Sequence, residues 1–176
     1  MKNALSVKKI AFAGLFVALA LVLPFLTGQI PQIGGMLSPM HIPALLAGFM
    51  CGPVLGAIAG FISPLLRFVI FVMPPVFPTG LSMAFELAAY AALCGIIYNH
   101  SKKTIADVYI SLILAMLGGR IIWGAVQFLL SKFVGFEFTF EMFLASAFIN
   151  AVPGIICHIV VVPAVVLALK KAKLME

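Results

Sequence analysis

Apolar residues run through this chain in blocks about as long as a membrane is thick, and the polar residues fall between the blocks. Six blocks can be drawn, over 8–26, 40–52, 53–72, 79–98, 106–131 and 143–169. A span needs roughly 20 predominantly apolar residues, because the hydrocarbon core is about 30 Å thick and a helix rises about 1.5 Å per residue. Only helices satisfy their backbone within one segment there. The pattern predicts an all-α membrane protein: a six-helix transmembrane bundle forming one integral domain over 1–176. The second block is short and joins the third through Cys51-Gly52-Pro53, so a tilted or partly broken helix is expected there.

The connections at the end away from the termini are 27–39, 73–78 and 132–142. The first, rich in Gly, Pro and Gln from Thr27 to Gly35, reads as too irregular for a helix. The second, Met73-Pro74-Pro75-Val76-Phe77-Pro78, is stiffened by three prolines and suits a plug over a pocket. The third is Phe-rich, carries Glu137 and Glu141, and reads as an interfacial segment with an aromatic anchor. The first block follows Lys8 and Lys9 as a signal peptide would, but Thr27-Gly28-Gln29 offers no small-x-small cleavage site, so it reads as a retained helix.

Composition agrees with the pattern. The chain is 64% hydrophobic and 9% charged, which excludes the soluble classes. A net charge of +6 would point to nucleic acid in a soluble protein. Here the lysines cluster at Lys2, Lys8 and Lys9, at Lys102 and Lys103, and at Lys170, Lys171 and Lys173. That is the positive-inside pattern, placing both termini and the 99–105 loop in the cytoplasm, with membrane lipid rather than nucleic acid as the surroundings. Cys51, Cys94 and Cys157 are widely spaced and read as buried small side chains; no spacing points to a metal or cofactor.

Three ionisable residues interrupt the blocks: Arg67, Glu86 and Arg120. A charge near mid-bilayer costs roughly 2.5–3.5 kcal/mol on insertion scales and generally faces a bundle interior or polar cavity. Residues three or four apart share a helix face. That spacing aligns Gly56, Gly60, Ser63 and Arg67; Ser82, Glu86 and Tyr90; Arg120, Trp123 and Gln127; and Asn150, Gly154 and His158, while His41 opens the second block. Arg67 and Glu86 fall roughly 9–10 Å below the outer ends of their helices, with Gln127 and Asn150 in a similar layer and Arg120 and His158 deeper. Apolar walls with a few placed polar groups describe a small-molecule pocket. Arg67 and Glu86 are either a structural ion pair between neighbouring helices or part of the site. Arg120, with no second acid in the apolar blocks, is the residue best placed to hold substrate. Gln127 and Asn150 serve either the pocket or interhelical hydrogen bonding, and His158 reads as a hydrogen-bonded core residue. Two arginines against one carboxylate leave a positive layer that favours a carboxylate or phosphate.

The stretch from Met40-His41-Ile42-Pro43 to Cys51-Gly52-Pro53, then Gly56 to Arg67, Met73 to Thr79, and Met83-Ala84-Phe85-Glu86-Leu87-Ala88, resembles the substrate-binding S components of energy-coupling factor (ECF) transporters, most of all the pantothenate-type branch. The resemblance implies a high-affinity subunit that captures a vitamin-like molecule on the outer side. It also implies assembly with a transmembrane coupling subunit, EcfT, and two cytoplasmic ATPase subunits, and toppling in the membrane to deliver cargo. The family's gating loops correspond to 27–39 and 73–78, with Gly34, Gly35, Pro75 and Phe77 as gating positions. Its Ala-xxx-Ala contact with the coupling subunit corresponds to Gly14-xxx-Ala18, which keeps the small-residue chemistry; ordinary packing within the chain is the other reading of that pair. Other cargoes of the same fold are a hydroxymethylpyrimidine, pyridoxine, niacin or a queuosine precursor.

No GxxxxGK[ST] loop is present, so uptake energy must come from partners or an ion gradient. An intramembrane enzyme is disfavoured: HExxH is absent and Ser63 lacks a GxSxG-like setting. A stand-alone ion-coupled carrier would favour polar residues in both membrane halves, whereas the inner ends of these blocks are almost wholly apolar.

Overall fold

In the computed structural model, residues 6–27 and 30–175 are described; Lys2 of the N-terminal basic cluster and Gly28 and Gln29 of the first connection lie outside them. Helix α1 (Val7–Val22) starts at Ser6, whose hydroxyl accepts the Lys9 N–H at 3.3 Å, and runs into a 3-10 turn, Leu23–Thr27. Then come α2 (Pro31–Leu37), α3 (His41–Cys51), α4 (Pro53–Phe71) and, after a turn at Val76–Gly80, α5 (Leu81–Asn99). Helix α6 (Ile105–Val134) opens on a reciprocal cap: Thr104 Oγ1 accepts from Asp107 N–H at 3.3 Å, and Asp107 accepts from Thr104 N–H at 2.8 Å. Helix α7 (Phe140–Leu144) continues through a π turn, Ala145–Ile149, to α8 (Val152–Lys171), which ends with Lys170 and Lys171 where the helix dipole favours cations. The described residues contain no strand.

Six helical stretches are long and apolar enough to cross a membrane, so the all-α, six-span reading holds. Two boundaries differ. The first connection is not wholly irregular, because Pro31 to Leu37 is helical. Pro31 sits in the first turn, where its missing N–H is not needed, and Ser38, in the left-handed region at φ 46°, closes the helix with its N–H on Gly34 O at 2.8 Å. With α2 stacked before it, the short α3 belongs to a 20-residue apolar stretch, Gln32–Cys51, broken at Ser38–Met40. The sixth block, drawn as continuous over 143–169, breaks at Asn150–Ala151, and Pro153 lies in the first turn of the helix that follows.

Helix α5 is the hub and packs on α3, α4 and α6; α1 lies against α3 and α4, and α8 against α2, α3 and α6. Glycine permits the closest crossings. A Cβ on Gly60 would lie 2.5 Å from Leu87 O, and one on Gly48 would lie 2.4 Å from Ala91 O. The α4 and α3 backbones therefore touch that of α5, as expected of small residues in membrane helix pairs. Leu45, Leu87, Tyr90, Cys94 and Leu112 are fully buried in the resulting core. Cys51 and Cys94 are buried as expected, while Cys157 is half-buried; all three are free thiols.

Candidate functional site

The α1–α2 and α4–α5 connections and the opening turn of α3 meet at the end of the bundle away from Val7 and Lys171. There they surround a cavity of about 600 Å³. Of the residues singled out from sequence, His41, Arg67, Glu86, Arg120 and Trp123 line it, together with Gly34, Gly35 and Pro75. Three do not. Gln127 is buried one turn beyond Trp123, and its Oε1 has no hydrogen-bond partner among the described residues. Asn150 is exposed at the break before α8, because the sixth block is not one continuous helix. Phe77 is 42% exposed, with extended backbone inside its turn, and Met73, Pro74 and Thr79 line the cavity there instead.

Glu86 is the centre of the polar network. Its carboxylate is buried, and Oε1 accepts from Arg120 Nη1 at 2.9 Å and from Tyr90 OH at 3.0 Å. Oε2 lies 3.4 Å from His41 Nε2. A carboxylate removed from water requires such partners. Tyr90 reaches it because i and i+4 side chains stack along one helix face. His41 stacks on His158, with ring centroids 5.7 Å apart and planes 18° apart. His158 Nε2 lies 3.2 Å from Ser38 O. A carbonyl only accepts, so this nitrogen carries the proton and donates. His158 thereby ties α8 to the α2–α3 break, as a hydrogen-bonded interior histidine. On the same face of α8 a Cβ on Gly154 would meet Met36 O at 2.5 Å, so α2 is seated directly on that glycine.

The pairing of Arg67 with Glu86 does not form; Arg120 holds the carboxylate instead. Arg67 turns toward α1. It is 3% exposed, donates to Leu21 O, and packs against the edge-on pair Phe25 and Phe71, whose ring centroids are 5.2 and 5.0 Å from Cζ and 5.1 Å from each other. Helix α4 meets α5 through Gly60 against Leu87, and Arg67 lies about two turns beyond that crossing, in reach of the end of α1, while Ser82, Glu86 and Tyr90 lie buried in the bundle. Trp123 lines the cavity from within an aromatic cluster, with Phe138 edge-on at 5.7 Å and Phe143 stacked at 6.2 Å. Tyr90, Met83 and Ser146 were not singled out as site residues. Met83 and Tyr90 flank Glu86 at helical spacing, a signal present in the sequence, whereas Ser146 arrives only because the π turn folds it over the opening.

Gly14 and Ala18 stand on the exposed face of α1, and a Cβ on Gly14 would meet nothing within 4 Å. Packing within the chain does not account for the glycine.

The sequence pattern of the ECF transporter substrate-specific component family matches residues 8–166. The chain belongs to that family. It is therefore a multi-pass membrane transport subunit and not an enzyme, and family membership brings a small-molecule substrate and association with EcfT and ATPase subunits. No curated protein sequence matches this substrate-specific component at a significant level. Its cavity, network and exposed α1 face are thus the parts from which cargo and partner contacts must be argued.

Proposed function

We propose that this substrate-specific component captures a small anionic vitamin-like solute, pantothenate or a close relative, in the 600 Å³ cavity, and does so from the outer face of the membrane. The observation carrying this reading is the charge of the lining: Arg67 and Arg120 against the one carboxylate of Glu86. The volume lies within the roughly 300–1,000 Å³ of small-molecule sites, and the walls are apolar with few polar groups, as such sites are. Gly34, Gly35 and Pro75 border the cavity, which supports gating by α2 and the 73–78 segment. Phe77 is exposed and does not line the cavity.

The orientation follows from the lysines. Lys170 Nζ donates to Lys103 O at 2.5 Å, so the C-terminal cluster and the 99–105 loop share one end of the molecule, opposite the cavity. With basic ends cytoplasmic, the cavity faces outward. The open Gly14–Ala18 face supports docking of the coupling subunit, because small residues permit close helix approach. Delivery then depends on the coupling subunit and two ATPases acting on the whole chain as a single unit.

Thermal unfolding of the purified protein against a vitamin panel tests this. The panel includes pantothenate, pyridoxine, nicotinate and a hydroxymethylpyrimidine. A true ligand at 100 times its Kd stabilises by about 2.7 kcal/mol. Pantothenate is expected to give the largest shift; a larger shift with an uncharged or cationic member would replace the anionic reading.

A further inference from the structure

The charges lining the cavity are divided between two sides. On one, Glu86 holds Arg120 at 2.9 Å, with Tyr90 at 3.0 Å and His41 at 3.4 Å, so a negative and a positive charge neutralise each other. On the other, Arg67 has no carboxylate within ion-pair distance among the described residues. One of its N–H groups is used on Leu21 O, and no other hydrogen bond to the protein is formed among the described residues. A guanidinium has five donors. The rings of Phe25 and Phe71, edge-on to each other at 5.1 Å, lie together on one side of it. Cation–π attraction of this kind is strongest when desolvated, whereas a buried charge without a partner is costly. The aromatic pair thus offsets part of the cost without using any of the guanidinium's donors, which stay available for an anion.

We propose that Arg67, not Arg120, is the anchor for the solute's negative charge, and that the solute is a monoanion whose uncharged hydrogen-bonding end lies toward Glu86 and His41. This rests on the cavity being the solute site. One uncompensated cation matches one carboxylate; the second charge of a phosphate monoester would meet a side of the cavity already neutral. His41 supports the polar end, since its Nδ1 is buried with no hydrogen-bond partner among the described residues and the residue lines the cavity. Met40, Met73 and Met83 line the wall, an adaptable apolar surface for the body of the solute.

The test uses the purified full chain and titration calorimetry with three acids, each against an uncharged derivative: pantothenate with pantothenol, nicotinate with nicotinamide, and biotin with its methyl ester. The expected result is one acid binding roughly 100-fold tighter than its derivative, the size of a charge-assisted contact. Arg67→Met is expected to bring that acid down to the affinity of the derivative. It should leave the derivative within about 3-fold of the unaltered chain, which also shows the variant is folded. Arg67→Lys should retain the preference, and Arg120→Met should weaken acid and derivative alike. Should Arg67→Met fail to purify, Arg67→Gln, which keeps a donor for Leu21 O, is read in the same way. A preference that survives removal of the Arg67 charge, or one lost only in Arg120→Met, overturns the proposal. Equal binding of acid and derivative overturns the anchor while leaving the cavity as the solute site. Binding by no member, charged or uncharged, overturns the cavity reading and the anchor with it.

Discussion

Replacing Arg120 by Met removes the shortest ion-pair contact of Glu86 and leaves a carboxylate that is 1% exposed with only Tyr90 OH at 3.0 Å and His41 Nε2 at 3.4 Å. Breaking a buried pair from one side costs roughly 3–5 kcal/mol, because the remaining charge is uncompensated. Tyr90 and His41 stay in place, so the lower figure applies, about 3 kcal/mol. For a chain of this length that is a fall in melting temperature of about 6–12 °C. Glu86→Gln alone leaves Arg120, 12% exposed and at the cavity wall, without its acid, and should cost less. The double variant should then recover much of the sum, with a coupling energy above about 1 kcal/mol. The parallel cycle on Arg67→Met and Glu86→Gln should be additive within about 0.5 kcal/mol, since the two share no contact. Thermal unfolding in one detergent, followed by intrinsic fluorescence of Trp123, measures all five variants and the parent. Strong coupling between Arg67 and Glu86, with additivity between Arg120 and Glu86, would refute the assignment of partners.

Other outcomes follow from the packing. Gly154→Leu places a side chain where a Cβ already lies 2.5 Å from Met36 O, so α2 must lift; solute dissociation measured by stopped flow should accelerate at least about 10-fold, whereas Gly14→Leu should leave it unchanged. His158→Phe removes one of two donors to the Ser38 carbonyl, which keeps the His41 N–H at 3.0 Å, and should cost about 0.5–1.5 kcal/mol in thermal unfolding. Gly14→Trp or Ala18→Trp should spare solute binding yet abolish uptake in proteoliposomes containing the coupling subunit and ATPases; normal uptake would remove the α1 face from the coupling interface.

Much of the architecture was legible because the bilayer imposes a length and a composition at once. Block length fixed the number of crossings, and helical spacing put Glu86 with Tyr90 and Arg120 with Trp123 on single faces, where they stand. The glycine pair Gly56 and Gly60 announced close crossings, and α4 meets α3 at Gly56 and α5 at Gly60. Small residues that need backbone proximity leave a local trace in the sequence. The breaks left less. Ser38 in a left-handed turn and the π turn before Asn150 arise from how the chain is seated on α8 and α6, through contacts such as Met36 O on Gly154 and Phe143 against Gly124. Those contacts join residues more than a hundred positions apart, or cross an unpredicted fold-back, and no local pattern encodes them.

The exchange of partners around Glu86 has the same origin and carries a chemical consequence. Charge alone pairs Arg67 with Glu86, because their helices are consecutive and both residues lie near one end of the bundle. Helical spacing sets a face but not the reach of a long side chain. Arg67 shares a face with Gly60 but lies about two turns beyond the Gly60–Leu87 crossing, where its guanidinium meets Phe25, Phe71 and the Leu21 carbonyl. Glu86 is left to Arg120, which a count of acids along the chain had judged to be without one. Counting charges gave the correct excess of one positive charge in the lining but assigned it to the wrong arginine. The excess sits where aromatic rings, not a carboxylate, hold the guanidinium, and a cation held that way keeps its donors for an incoming anion.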